Sequence, residues 1–133
     1  MRFSLPSCKD QLGPLRDRLR QLLADAGVSG TAAHDIVLSV HEAVVNGMVH
    51  GNRLDPRRTV SVEIQFGPRG VEIEVADEGP GFDWRGRLGR VEREGVPPDA
   101  PEGRGMLVMV RTMDHLAYSE PGNRVRLVRL CSR

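Results

Sequence analysis

Apolar residues recur every three to four positions in two stretches of the N-terminal half. The first stretch, residues 10–26, carries Leu12, Leu15, Leu19, Leu22, Leu23 and Ala26 at this spacing. The second, residues 31–49, carries Ala33, Ile36, Val37, Val40, Val44 and Met48. Because a helix turns by about 100° per residue, each set falls on one face. The pattern predicts two amphipathic helices, the first ending at Gly27.

Between residues 59 and 75 the period changes to two. Val60, Val62, Ile64 and Phe66 alternate with polar residues, and Val71, Ile73 and Val75 repeat the alternation after a Gly-Pro-Arg-Gly turn. Such alternation turns one face of a strand toward a core. These residues therefore predict a β-hairpin.

Residues 77–103 are rich in Gly and Pro and have mixed charge. No regular period persists there, so the segment is predicted to be a long mobile loop without a packed element.

The C-terminal part returns to regular patterns. Met106, Met109, Val110 and Met113 predict a third helix, and residues 115–118 and 125–130 predict a closing hairpin around a Pro-Gly-Asn turn. The element order predicts an α+β sandwich, with three helices on one face of a mixed, mostly antiparallel sheet. A short N-terminal strand at Phe3 and Leu5 can join that sheet.

Composition narrows the class of protein. A chain of 133 residues suits one domain, spanning residues 1–133, and its 39% hydrophobic content argues against disorder. A net charge of +1 provides no overall field to attract nucleic acid or an anionic membrane. No apolar run reaches the roughly 18 residues that cross a bilayer, and the first residues show no hydrophobic signal core, so no secretory leader is expected. Cys8 and Cys131 are expected to be reduced thiols in a cytoplasmic protein, with a terminal disulfide as the alternative.

Polar residues of the second predicted helix fall on one arc opposite its apolar stripe. They are Asp35, Ser39, Glu42, Asn46, His50 and Arg53. One interpretation is a solvated helix face. The other is a chemical site, because a carboxylate such as Glu42 can accept a hydroxyl proton and the amide oxygen of Asn46 suits Mg²⁺.

Asp77 continues the alternation of the preceding strand and should therefore point to the buried face. A buried carboxylate is costly unless it meets hydrogen-bond donors, which a bound ligand, a salt bridge or a local turn can supply. Gly79 and Gly81 follow it and allow the backbone to approach a flat ligand closely.

A second glycine pair, Gly103-Arg104-Gly105, stands where the predicted loop meets the third helix. Backbone amides at a helix start can bind phosphate, and Arg104 can add positive charge. The pair matches neither the Walker lysine motif nor the dinucleotide fingerprint.

Taken in order, three motifs resemble the N, G1 and G2 boxes of the GHKL ATPases, which share the Bergerat fold. They are Glu42-x-x-x-Asn46-x-x-x-His50-Gly51-Asn52, Asp77-x-Gly79-x-Gly81-Phe82 and Gly103-x-Gly105. The short chain, residues 51–56 and the ending at residues 122–127 are most similar to bacterial anti-sigma-factor serine/threonine kinases. The resemblance covers about residues 10–130, and three ordered motifs are more specific than any one.

The resemblance implies a role for each residue of these motifs. Asp77 would bind the adenine amino group of ATP, and Gly79 and Gly81 would flank the base. Asn46 would ligate Mg²⁺, and Glu42 would be the general base. The groups expected near the phosphates are His50, Gly103, Arg104 and Gly105. Residues 83–102 would form the ATP lid.

The resemblance also implies partners. Members of this family hold a sigma factor and transfer the γ-phosphate of ATP to a serine or threonine of an anti-sigma-factor antagonist. Homodimerisation is a further expectation, and no direct contact with nucleic acid or membrane is expected. The alternative is a non-catalytic module that binds nucleotide only to set its shape and sequesters a partner. One departure from the family is the absence of a threonine near the final strand, where Asn123 stands instead.

Overall fold

The computed structural model describes residues 1–100 and 103–132. Within these residues the chain forms four α-helices and five β-strands. The helices are α1 (Leu12–Asp25), α2 (Gly30–Asn46), α3 (Trp84–Glu94) and α4 (Arg104–Thr112). The strands are β1 (Arg2–Pro6), β2 (Thr59–Gly67), β3 (Gly70–Ala76), β4 (His115–Tyr118) and β5 (Arg124–Leu130).

The strands form one sheet in the order β1-β2-β3-β5-β4, and every neighbouring pair is antiparallel. Both predicted hairpins are present, with Ile64 opposite Ile73 and Leu116 opposite Leu127. The N-terminal strand joins the edge, where Phe3 lies opposite Val62. The predicted α+β sandwich is confirmed, and its sheet is antiparallel throughout the described residues.

The core lies between the sheet and the helices. One face of β2, β3 and β5 contributes the buried residues Val60, Val62, Ile64, Val71, Ile73, Val75, Val125 and Leu127. The predicted apolar stripes of α1 and α2 contribute Leu15, Leu19, Leu23, Ile36, Val40 and Val44. Burying such side chains stabilises the fold by about 1.5–3 kcal/mol each. Helix α2 lies against both α1 and α4 and contacts β3 and β5, so its polar arc ends beside the sheet's central strands.

Helix α2 does not end in a simple cap. It continues as a π-helical turn, Gly47–Gly51, in which the backbone N–H of Asn52 donates to the carbonyl of Gly47 at 2.8 Å. Wider turns of this kind are frequent at functional sites. This turn brings Gly51 and Asn52 under the end of β3.

The prediction of an irregular loop over residues 77–103 is wrong for residues 84–94, which form α3. Asp83 caps this helix by accepting a hydrogen bond from the backbone N–H of Gly86 at 3.2 Å. Only Val91 is buried in the helix, with Leu88 partly buried against the core. Since one narrow edge carries all the apolar packing, the sequence lacks the wide stripe that reveals a helix. The described residues therefore contain four α-helices where three were predicted.

Candidate functional site

A cleft opens between the C-terminal end of α2, the ends of β3 and β5, and the start of α4. Six of the residues singled out in the sequence line it: Asn46, His50, Asp77, Gly81, Gly103 and Gly105. Helix packing and sheet register thus bring together three motifs that lie apart in the sequence, at residues 42–52, 77–82 and 103–105.

Three other predicted site residues do not line this cleft. Glu42 lines a neighbouring groove. Gly79 is buried, and a Cβ atom at this position would overlap the carbonyl of Gly51. Arg104 is exposed as the first residue of α4.

Asp77 is half-buried just beyond the end of β3, on the same side of the strand as Val75. Its Oδ1 accepts a hydrogen bond from the backbone N–H of Gly79 at 2.8 Å, so the local turn considered as an alternative is present. Burial raises the pKa of the Asp77 carboxyl, and the Gly79 hydrogen bond partly opposes that rise. Within residues 1–100 and 103–132, this is the one hydrogen bond donated to the carboxylate, which leaves acceptor capacity facing the cleft.

Gly51 explains how the carboxylate fits beneath the π-helical turn. A Cβ atom at Gly51 would overlap the Asp77 carboxylate, so only glycine permits this approach. The strand end therefore lies directly against the end of the α2 segment, and any side chain at position 51 would displace the Asp77 carboxylate.

Asn52 fixes this arrangement, although sequence reasoning gave it no separate role. It is 1% exposed. Its Nδ2 donates to Ser7 Oγ at 2.9 Å and to the Thr59 carbonyl at 3.0 Å, and its Oδ1 accepts from the backbone N–H of Glu78 at 2.8 Å. A polar side chain this deeply buried must be hydrogen-bonded, and Asn52 joins the π-helical turn to β2 and to the residue after Asp77.

Asn123 binds the glycine turn from the other side. Its Nδ2 donates to the Gly79 carbonyl at 3.2 Å, its Oδ1 accepts from Ser119 Oγ at 3.2 Å, and its backbone carbonyl accepts from the Asp77 N–H at 2.9 Å. The residue that replaces the family's usual threonine thus lines the cleft and also holds the backbone around Asp77.

Glu42 and Asn46 meet the start of α4. A Cβ atom at Gly105 would lie 2.8 Å from Glu42 Oε2 and 3.5 Å from Asn46 Nδ2, so glycine allows α4 to approach both side chains. Gly103 is the N-terminal cap residue, with a φ of +91° and no side-chain hydrogen bond to the helix start. The start of α4 therefore has no side-chain cap, and Gly103 and Gly105 line the cleft there.

The polar arc of α2 is not simply a solvated face. Ser39 is fully buried and its hydroxyl lies 2.5 Å from Thr112 Oγ1 on α4, while Asp35 pairs with Arg129 at 3.1 Å. The part of the arc that contains Asp35 and Ser39 therefore packs against β5 and α4. Asn46, further along α2, lines the cleft. Arg53, which lies beyond the π-helical turn, is exposed and has a φ of 54°.

An aromatic cluster borders the cleft and was not identified from the sequence. Tyr118, the last residue of β4, meets Phe82 edge to face at 5.4 Å between ring centroids and stacks on Trp84 at 5.7 Å. Burial raises the pKa of the Tyr118 phenol to about 12, with Arg87 opposing the rise, so the phenol is protonated at neutral pH. The sequence feature that could have identified Tyr118 is its position in the predicted hairpin. It lies opposite Val125, a residue of the buried strand face.

Glu42 lines a second groove, between α1 and α2. The residues that line it include four with basic or imidazole side chains: Arg16, Arg20, His34 and His41. Arg16 Nη1 lies 3.1 Å from His41 Nδ1. Burial lowers the pKa of His41, Glu42 opposes this effect and Arg16 reinforces it, so the neutral ring can accept a hydrogen bond from Arg16. Glu42 thus stands between this groove and the start of α4.

The fold is that of a histidine kinase-like ATPase domain, whose family model matches residues 5–129. Over 120 residues the chain is 28% identical to the serine-protein kinase RsbW of Bacillus licheniformis, covering 84% of this chain and 72% of that protein. It is 31% identical to an anti-sigma F factor of Clostridium perfringens over 99 residues, covering 71% of this chain and 68% of the relative. The chain belongs to the GHKL family of anti-sigma-factor kinases.

In the part of the chain that the structure describes, no helix has the length and apolar character needed to span a membrane.

Proposed function

We propose that this protein is an ATP-binding anti-sigma factor and serine/threonine kinase. It would sequester a sigma factor and phosphorylate an anti-sigma-factor antagonist. The relatives named as serine-protein kinases and anti-sigma F factors support this function. The observation that carries the nucleotide site is Asp77, a half-buried carboxylate in a cleft with one intramolecular hydrogen-bond donor among the described residues.

The base end of the cleft (Asp77, Gly51, Asn52 and Asn123) suits adenine. Asp77 offers an acceptor for the adenine amino group, and a donor from the ligand would offset the cost of burying the carboxylate. Val75 and Val125 supply an apolar floor next to it. Adenine is flat, so one of its faces can pack on Val75 and Val125 while its amino group donates to the Asp77 carboxylate.

The phosphate end of the cleft (Asn46, Gly103 and Gly105, with Glu42 and Arg104 beside it) suits the triphosphate. The uncapped start of α4 offers backbone N–H groups and the positive end of the helix dipole, and Arg104 adds a charge. Asn46 can present an amide oxygen to Mg²⁺, which commonly binds through few protein groups and the nucleotide phosphates. His50 lines the same cleft. Mg²⁺, when bound, would neutralise charge that develops on the transferring phosphate.

Glu42 is our candidate for the general base. Its carboxylate lies at Gly105, beside Asn46, and also lines the groove between α1 and α2. A serine or threonine hydroxyl that enters from this groove would meet the carboxylate on one side and the start of α4 on the other. Glu42 would accept the hydroxyl proton as the oxygen bonds to the γ-phosphorus and ADP leaves.

One observation favours a second function, a non-catalytic nucleotide-binding module that sequesters a partner. Glu42 does not line the cleft that holds Asn46 and Asp77. A binding module needs Asp77 and no general base, so nucleotide binding and phosphoryl transfer must be measured separately.

Nucleotide binding can be tested by thermal shift. Mg-ATP should raise the melting temperature as its concentration increases, because a ligand that binds only the folded state stabilises it. Asp77→Asn should lose this response. Glu63→Gln, which makes the same chemical change on β2 away from the cleft, should keep it. If neither Mg-ATP nor Mg-ADP shifts the wild-type transition, the nucleotide site is wrong.

A test of kinase activity requires the natural partners of the protein. Proteins that co-purify from the native host should include a sigma factor and an antagonist, and [γ-³²P]ATP should label the antagonist on serine or threonine. Binding of ATP without transfer to the co-purified antagonist would support the non-catalytic module instead. Three further expectations stay predictions: a cytoplasmic location, homodimerisation, and closure of residues 83–102 as an ATP lid.

A further inference from the structure

Tyr118 occupies a position that connects the base end of the cleft to α3. On β4 it lies opposite Val125 of β5, which lies opposite Val75 of β3. Residues directly opposite each other share a face of the sheet. These three side chains form a row that ends at the sheet's edge in an aromatic ring, and all three line the cleft together with Asp77.

The ring of Tyr118 is held by two residues outside the sheet. Phe82, which follows the glycine turn, contacts it edge to face with an interplanar angle of 89°. Trp84, the first residue of α3, stacks on it with an interplanar angle of 24°. The ring therefore contacts the cleft, the glycine turn and the first turn of α3 at once.

The first turn of α3 is fixed to the β4–β5 connection beside this ring. Trp84 Nε1 donates to the Glu120 carbonyl at 3.1 Å. Arg85 forms a bidentate ion pair with the Glu120 carboxylate, with both distances at 2.9 Å. Trp84 stacks on Tyr118 and belongs to the first turn of α3, so a movement of Tyr118 would act on this turn and on its contacts with Glu120.

We propose that Tyr118 forms the aromatic wall of the base pocket and positions the first turn of α3 according to whether the base is bound. This inference rests on the proposed nucleotide site and adds a residue that sets affinity for the base. An aromatic ring beside a flat base gains stacking or edge contact, whichever phosphates the ligand carries.

The test uses Trp84 as an internal probe, since it is the only tryptophan of the chain. Binding of Mg-ATP and of Mg-tripolyphosphate, which lacks the base, is measured by calorimetry and by tryptophan emission. In the wild-type protein, Mg-ATP should change the emission and tripolyphosphate should not.

Tyr118→Leu should weaken Mg-ATP binding by about tenfold and leave tripolyphosphate affinity unchanged, because only the base contact is removed. Its Trp84 emission should no longer respond to Mg-ATP. Tyr118→Phe keeps the ring and should behave as wild type in both measurements, with urea unfolding confirming that both variants are folded.

Two results would overturn the inference. One is equal affinity of Tyr118→Leu and wild type for Mg-ATP, or an equal loss for both ligands. The other is a wild-type emission that does not respond to Mg-ATP although calorimetry detects binding. If calorimetry detects no binding of Mg-ATP to the wild type at all, the proposed nucleotide site fails and this inference fails with it.

Discussion

At the base end of the cleft side chains hold the backbone, whereas at the phosphate end no side chain among the described residues caps the start of α4. The side chains of Asn52 and Asn123 together make five hydrogen bonds around Asp77, and the backbone carbonyl of Asn123 accepts one more from the Asp77 N–H. At the other end, α4 begins at Arg104, and its N-cap residue is Gly103, which has no side chain to cap the helix. The base end is therefore preorganised before any ligand arrives, while the phosphate end leaves donors for a ligand to satisfy.

This difference separates two ways of losing activity. Changes at the base end should alter folding and affinity together, because the same atoms hold the backbone and shape the pocket. Changes at the phosphate end should alter transfer with little effect on folding, because few internal bonds depend on those side chains. The predictions that follow test this separation, beginning with the largest expected effect.

Glu42→Gln should reduce the rate of phosphoryl transfer to the antagonist by about 10²- to 10⁴-fold, the usual contribution of a positioned general base. Affinity for Mg-ATP should stay within about twofold, since the carboxylate lies outside the cleft that would hold the nucleotide. Single-turnover transfer and calorimetry measure the two quantities. A matched variant, Glu63→Gln on β2, should change neither. Undiminished transfer by Glu42→Gln would remove Glu42 from the mechanism.

Asn52→Ala should lower the free energy of unfolding by about 2–3 kcal/mol, because it removes three hydrogen bonds of a buried side chain, each contributing about 1 kcal/mol. Urea unfolding measures the loss. Gln65→Ala removes an exposed amide with one weak contact and should cost less than about 0.5 kcal/mol. If Asn52→Ala unfolds at the wild-type urea concentration, the base end is not held in the way described.

Asp77 should make the stability of the free protein depend on pH. Burial raises its pKa above the ordinary value of 3.8, so the folded state holds the proton more tightly than the unfolded state does. Stability from this group is greatest below about pH 3.8 and decreases as pH rises through the raised pKa. The Asp77→Asn variant has no carboxylate at this position, so it lacks the loss of stability that comes from ionising Asp77 in the folded state. The melting temperature of the variant should exceed that of wild type at pH 7, with the difference vanishing toward pH 3.5.

The control for this comparison is Glu63→Gln, which should follow the wild-type curve over the same range. A pH profile of Asp77→Asn that runs parallel to wild type would mean that the folded protein does not raise the pKa of Asp77.

Arg85→Ala should have the smallest effect, about 0.5 kcal/mol or less on unfolding, because both members of its pair with Glu120 are largely exposed to solvent. The pair orients the start of α3 and contributes little to stability. Urea unfolding of Arg85→Ala, Glu120→Gln and the double variant would measure the coupling between them. A coupling well above 1 kcal/mol would place α3 among the firmly held parts of the fold.

Much of the fold could be predicted because the core uses strong local periods. The leucines of α1 and the alternation of β2 and β3 report burial directly, since one face of each element must leave water. Helix α3 could not be predicted in this way. Its single buried residue, Val91, gives no period, and its start depends on a cap at Asp83 and a stack between Trp84 and Tyr118.

The sequence alone determined the α+β sandwich, the inward position of Asp77 and the ordered motifs of the family, because alternation, helical spacing and motif order are properties of the chain itself. Tertiary structure decided what these residues contact. Gly51 and Gly105 matter because a strand end and a helix approach them, and Tyr118 because β4 pairs with β5 beside α3. Such contacts join residues far apart in sequence, and only packing of the whole domain selects them.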